Sequence, residues 1–237
     1  MENTSYSLKK NARLAGLLYI LVILTGVYSI FFVTSKIIVQ DDVLITTQNI
    51  LDKEFLFRTG IISDLISNIF FMLLVLALYR LLKTVNKNTA KLMLALVVVQ
   101  IPVVFFMEAL NTTALMTVKG EVLQSFDLSE RQDLAMLFLK INEYGMLTLE
   151  MFWGLWLLPL GYLVYQSGFI PRIFGILLII AGTAYMFDSF TAILFPGIRA
   201  YVNKPALLLM AVGEISITLW LLIKGTKNNI SAIKKQE

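Results

Sequence analysis

The chain contains no cysteine and no histidine. The first absence excludes disulfides and thiolate metal sites. The second excludes Ser-His and Cys-His catalysis, His-ligated zinc and haem, and the usual proton switch near neutral pH. Charge is scarce too, at 15% of 237 residues, where a soluble domain carries about a quarter. Apolar residues take its place: 58% of the chain is hydrophobic and the mean hydropathy is +0.78. Both departures point to lipid as the solvent. The pI near 9.2 does not point to nucleic acid. The basic residues lie between apolar runs and on the tails, where membrane topology accounts for them.

Six apolar runs are long enough to cross about 30 Å of hydrocarbon, which takes about 20 helical residues. They cover 14–33, 57–82, 92–110, 144–165, 173–195 and 206–223. The expected fold is therefore all-α, a polytopic six-helix membrane bundle forming one transmembrane domain over 1–237. The first run follows Lys9, Lys10 and Arg13 as a signal peptide would. Its apolar core is too long for one and no A-x-A cleavage site follows, so it reads as a retained helix. With both termini in the cytoplasm, the inner segments hold Lys9, Lys10, Arg13, Arg80, Lys83, Lys87, Lys91, Arg172, Lys224, Lys227, Lys234 and Lys235. That is 12 of the 20 basic residues, against the two acids Glu2 and Glu237. The outer segments hold the other eight basic residues and nine acids. Positive residues favour the inside, and six spans agree with termini on one side.

Two outer loops are long. Residues 34–56 set Val43, Leu44, Ile50, Leu51 and Phe55 among polar residues, a pattern for a short interfacial helix. In the second loop, Ser129 and Gln132 have capping-box spacing. Leu134, Leu137, Phe138 and Ile141 then recur at helical spacing, so the fourth helix starts near Glu130. These segments read first as covers for the bundle, and second as a cap over a cavity. Gly168 ends the fourth helix; Pro171 and Pro205 open the fifth and sixth. Pro102 and Pro159 lie inside spans and kink them. Trp153, Trp156, Trp220 and the tyrosines read as lipid-facing and interface anchors. There is no convincing internal repeat.

Five acids lie within the runs: Asp64, Glu108, Glu150, Asp188 and Glu214. No lysine or arginine sits deep in any of them. An ionised carboxylate at mid-bilayer costs about 2.5–3.5 kcal/mol on insertion scales, so most of the five must be neutral, paired or wet. Asp64 is seven residues past Phe57, Glu150 six past Tyr144 and Glu214 eight past Ala206. These positions are roughly 9 to 12 Å below the outer edge. Asp188, seven before Phe195, has a similar depth, while Glu108, two residues before Leu110, sits near the interface. Asp64 and Asn68 are four apart on one helix face; Gln100 and Glu108 share a face of the third span. Arg58 begins the second span, about 9 Å above Asp64. It is expected to pair with one of the five acids.

"ARLAGLLYILVILTGVYS" (12–29), "FRTGIISDL" (57–65), "GYLVYQSGFIPRIFGILLIIAGTAYMFDSF" (161–190) and "GEISITLWLLIKG" (213–225) carry a family resemblance. On these stretches the chain resembles the domain of unknown function 4386 family of membrane proteins. The resemblance spans about 12–225 and includes the positions of Arg58, Asp64, Asp188 and Glu214. It implies a six-helix protein of the bacterial cytoplasmic membrane, and it implies no activity.

Three functions compete. The favoured one is binding of a cation, a proton or a small basic molecule in an outward-facing acidic cavity, as in a transporter. The candidate ligand-binding residues are Arg58, Asp64, Asn68, Glu108, Glu150, Asp188 and Glu214. The absence of a repeat argues against common transporter designs. A non-catalytic scaffold or partner subunit is the second, with the acids as polar glue between helices worth about 0.6 to 2 kcal/mol each. An intramembrane enzyme working through paired carboxylates is third, because the G-x-G-D signature is missing. No cofactor, metal site or nucleic-acid partner is expected; membrane lipids are.

Overall fold

The computed structural model describes residues 2–226, with side chains from Leu8 onward. Glu2, Lys227, Lys234, Lys235 and Glu237, counted above in the tails, fall outside the described side chains. Among the described residues the chain is all-helical, with no strand. Helix α1 (Glu2–Val27) runs through a π-helical turn (Tyr28–Val33) into α2 (Thr34–Ile37). Next come α3 (Val43–Asp52), α4 (Glu54–Leu82), α5 (Lys87–Val98), α6 (Ile101–Lys119), α7 (Leu128–Gln166), α8 (Arg172–Leu194) and α9 (Arg199–Ile223). Six stretches are long and apolar enough to cross a membrane: Leu8–Ile37, Glu54–Leu82, Lys87–Lys119, Leu128–Gln166, Arg172–Leu194 and Pro196–Ile223. They contain the six runs read from sequence, apart from Phe195.

Local chemistry explains most helix ends. The Asp42 carboxylate accepts from Ile45 N at 2.8 Å and starts α3; Asn86 accepts from Thr89 N at 3.0 Å and starts α5. Pro102, the second residue of α6, has no N–H, and the third span is interrupted at Val99 and Gln100. Gly168, with φ +72°, follows the end of α7 in the left-handed conformation that glycine adopts freely.

Three expectations about helix ends are corrected. The capping box of α7 is not Ser129–Gln132. Glu130 N donates to Asp127 Oδ1 at 2.9 Å, and Asp127 N donates to Glu130 Oε2 at 2.9 Å. Asp127 caps as well as serine and stands just before the first helical residue. Pro205 does not open the sixth span: α9 begins at Arg199 and Pro205 lies inside it. Glu108 is not near a helix end either. α6 continues through Asn111, Thr112 and Thr113 to Lys119, eleven residues beyond Glu108 (119 − 108), or about 16 Å. The threonine hydroxyls bond back to carbonyls four residues earlier, so their polarity does not stop the helix.

The chain forms two compact units. Unit 1 comprises the described residues of Met1–Ile20, Phe70–Gln100 and Leu147–Glu237; unit 2 comprises Leu21–Ile69 and Ile101–Met146. In unit 2, Val33, Ile37, Ile50, Phe57, Leu115 and Met136 pack into one core. α3 turns Thr46, Thr47 and Ile50 inward. The Thr46 hydroxyl bridges Val39 N and O, and Thr47 accepts from Gln132 Nε2. Leu44, Leu51 and Phe55 remain exposed, whereas Ile50 is fully buried. The start of α7 likewise buries Ala135, Met136 and Leu139 and exposes Leu137 and Ile141.

In unit 1, α7 and α8 run antiparallel at backbone contact. A methyl group on Gly154 would lie 2.5 Å from Gly182 O, and one on Gly161 would lie 2.7 Å from Gly175 O. The same register brings Ser189 Oγ to Leu147 O at 2.7 Å. α9 joins through Gly213, where a methyl group would meet Ala181 Cβ at 2.6 Å and Leu177 O at 2.8 Å. Trp156 is buried between Tyr19 and Phe71, with ring centroids at 6.1 and 5.0 Å. Trp156 and Tyr19 are core residues and not lipid-facing anchors. Arg13 Nη2 donates to Ile223 O at 3.2 Å, a cation at the carbonyl end of α9.

Candidate functional site

The candidate residues fall into two groups, one in each unit. In unit 2, α4 supplies Asp64 and Asn68 and α6 supplies Glu108. Asp64 Oδ2 accepts from Ser29 Oγ at 2.7 Å. Ser29 sits in the π-helical turn, a distortion often found where a helix must redirect one side chain. Asn68 bonds the backbone of Asp64, donating to its carbonyl at 3.0 Å, so the two residues share a face without their side chains pairing. Glu108 is 3% exposed and accepts from Asn111 Nδ2 at 3.0 Å. Asp64 and Glu108 are within electrostatic reach of each other.

Arg58 joins neither group. It forms an ion pair with Glu54, one turn earlier on α4, at 2.7 Å, and its side chain is 46% exposed. The expectation that it pairs with one of the five acids Asp64, Glu108, Glu150, Asp188 and Glu214 is therefore corrected. Glu54 is closer along the helix and leaves the guanidinium in a wet setting, which spares it desolvation.

In unit 1, α7 supplies Glu150, α8 supplies Asp188, and α9 supplies Glu214. Glu214 is fully engaged. Its Oε2 accepts from Tyr19 OH at 2.6 Å and its Oε1 from Tyr185 OH at 2.7 Å. Tyr185 also lies edge-on to Trp153, with centroids 6.1 Å apart. Asp188 is 0% exposed. Its Oδ2 accepts from Asn203 Nδ2 at 3.0 Å and faces Arg199 Nη2 at 3.7 Å. The latter distance is a charge contact and too long for a hydrogen bond.

The Glu150 carboxyl is within electrostatic reach of both Asp188 and Arg199. Glu150 Oε2 and Asp188 Oδ1 are both buried, and no donor among the described residues reaches either atom. The glycine contacts of α7 and α8 set this meeting. They fix the register that places Glu150 one turn from Gly154 and Asp188 close behind Gly182. Among the described residues no three acids are arranged to hold a metal ion.

Sequence reasoning misses six of these partners: Ser29 and Asn111 in unit 2, and Arg199, Asn203, Tyr19 and Tyr185 in unit 1. A turn at Phe195–Ile198 and a helix starting at Arg199 fold Arg199 back over the end of α8. The available signal is the spacing, since Arg199 follows Asp188 by eleven residues across Pro196 and Gly197, a turn pair. Nothing in the spacing of Tyr19 and Tyr185 announces that both reach Glu214.

Comparison with curated proteins finds a relative in Archaeoglobus fulgidus, described as an uncharacterized protein. It is 32% identical over 151 residues, covering 64% of this chain and 74% of the relative. No solved structure matches the chain. A family model described as Domain of unknown function (DUF4386) matches residues 14–225, which take in every acid of both groups. The chain belongs to that family.

Proposed function

We propose that this protein is a multi-pass membrane protein, with both termini in the cytoplasm of a bacterial cell, that binds a cation, a proton or a small basic molecule in the outer half of its spans. The observation that carries the reading is the Glu150–Asp188 centre. Two carboxyl groups lie within electrostatic reach of each other there, each with a buried oxygen lacking a donor among the described residues, and the Arg199 guanidinium stands 3.7 Å from Asp188. Buried charge of one sign is held at a cost unless something neutralises it. Such a centre is poised to accept positive charge from a ligand.

A second reading, a scaffold or partner subunit, draws support from the other acids. Glu214 has a donor on each oxygen, Asp64 accepts from Ser29, and Glu108 accepts from Asn111. Those three serve as polar ties between or along helices whichever reading holds.

Thermal stability of the detergent-solubilised protein, across pH and a panel of alkali cations and primary amines, separates the readings. A ligand that binds only the folded state at a hundred times its Kd stabilises by about 2.7 kcal/mol. The proposal expects a stabilising cation or amine whose effect disappears in Glu150→Gln/Asp188→Asn. A flat response across the whole panel, with the double variant only melting earlier, leaves the scaffold reading.

A further inference from the structure

We infer that the ligand of this centre is a small amino alcohol, an organic ammonium ion with a neutral oxygen acceptor beside its charge. The inference rests on the binding reading above and names the chemical class that the centre selects.

Two contacts between α7 and α8 bracket the centre within unit 1. Ser189 Oγ donates to Leu147 O at 2.7 Å, and the rings of Trp153 and Tyr185 meet with centroids 6.1 Å apart. Glu150 lies between Leu147 and Trp153 on α7, and Asp188 lies between Tyr185 and Ser189 on α8. The two contacts are only about 9 Å apart along α7 by helical rise. Glu150 and Asp188 therefore stand at one level of the helix pair. α9 closes the same level: Asn203 Nδ2 donates to Asp188 Oδ2 at 3.0 Å, and Arg199 Nη2 is 3.7 Å from that oxygen.

Three polar atoms at this level are buried and have no hydrogen-bond partner among the described residues: Glu150 Oε2, Asp188 Oδ1 and Arg199 Nε. Asp188 itself is 0% exposed. Buried polar atoms are seldom left unpaired. The three open positions differ in kind. Each carboxyl oxygen needs a donor, and the guanidinium N–H needs an acceptor. An ammonium group brings three donors and no acceptor, so alone it serves the oxygens and leaves Arg199 Nε unpaired. An alkali cation leaves Nε unpaired as well. A hydroxyl or ether oxygen next to the ammonium group supplies the missing acceptor.

Charge selects the kind of acceptor. Glu214 joins the same neighbourhood through Tyr185, whose hydroxyl donates to its Oε1 at 2.7 Å. Tyr19 occupies its other oxygen, so Glu214 adds a third carboxyl group without adding an open position. Arg199 is the one cation within ion-pair distance of any of the three among the described residues. A carboxylate on the ligand would set a fourth acid against that guanidinium, which disfavours an amino acid and favours a neutral oxygen. The Arg199 side chain is 32% exposed and Glu150 is half-buried, so a small molecule has a way in past them.

Isothermal titration calorimetry of the purified full chain in detergent tests the class with 2-aminoethanol and propylamine. Both are ammonium ions at neutral pH, and they differ by a hydroxyl in place of a methyl group. 2-Aminoethanol is expected to bind at least about tenfold more tightly, the effect of one buried N–H that finds or lacks its acceptor. Arg199→Met removes that N–H. Its lost charge acts on both amines alike, so the ratio of the two affinities should fall to near one. Glu150→Gln/Asp188→Asn should abolish binding of both. Equal binding of the two amines to wild type overturns the inference and leaves the binding reading standing. So does a preference that persists in Arg199→Met, or binding of potassium ion with no binding of either amine. Uncharged 1-propanol binding as tightly as 2-aminoethanol overturns both. No heat and no change in melting temperature with any of these probes also overturns both. Folding of each variant is checked by far-UV circular dichroism, and the wild-type ratio needs no variant.

Discussion

Removing one tyrosine hydroxyl measures how Glu214 is held. Its carboxylate accepts from Tyr19 OH at 2.6 Å and from Tyr185 OH at 2.7 Å, lengths typical of O–H···O⁻ bonds. A hydrogen bond to a charged group contributes about 1.5–3 kcal/mol. A neutral hydrogen bond between membrane helices averages only about 0.6 kcal/mol. Tyr19→Phe and Tyr185→Phe each delete one donor and little else, and Tyr19 is buried, so water does not readily replace the lost hydroxyl. Each variant is expected to lose about 1.5–3 kcal/mol. The double variant should lose less than the sum. Both hydroxyls act on the one carboxyl, so the two losses are not independent. Adding Glu214→Met to the double variant should recover most of the loss, because removing both partners of a buried hydrogen bond can be nearly neutral. The assay is reversible unfolding in mixed micelles with a denaturing detergent, read as a double-mutant cycle. Losses near 0.6 kcal/mol or below for each tyrosine would show that Glu214 is not bound as a charged tie.

The contacts that set the α7–α8 register should be equally exposed to mutation. Gly182→Ala places a methyl group 2.7 Å from Gly154 O, so the backbones must separate; a loss of about 1–3 kcal/mol by the same assay is expected. If Glu150 and Asp188 part as the helices do, the variant should also lose any response to amines. Asp127→Ala removes one half of the reciprocal cap at the start of α7. It should cost about 0.5–2 kcal/mol and speed hydrogen exchange at the amides of residues 128–131, leaving ligand response unchanged.

The spans are legible in the sequence because lipid leaves a blunt signature: long apolar runs broken by lysine, glycine and proline. The cap on α5, the break near Pro102 and the short helix after Asp42 follow from local chemistry, and local chemistry is written in neighbouring residues. The acids are legible as anomalies within apolar runs. Their partners are not, because a partner is a matter of which helices meet. Arg58 is the exception, since its partner lies on its own helix. Glu54, four residues away, shares a face of α4 with it, whereas Asp64, six residues away, does not. Hydropathy sets Glu108 too near a helix end because it falls at Asn111–Thr113, where the threonine hydroxyls are absorbed by the helix backbone. The seven-residue spacing of Gly154 with Gly161, and of Gly175 with Gly182, carries the α7–α8 register in plain view. It becomes readable only once the two helices are known to face each other.

The closeness of Asp188 and Arg199 in sequence bears on how the protein is made. The two are joined by a short turn, so they can meet as soon as α8 and α9 leave the ribosome as a hairpin. An aspartate entering the bilayer alone costs about 2.5–3.5 kcal/mol, and an arginine about as much. Entering as a neutral hairpin, the two charges offset one another before any other helix is in place. A longer linker at Phe195–Ile198 would delay that meeting and leave each helix to enter with its charge uncompensated.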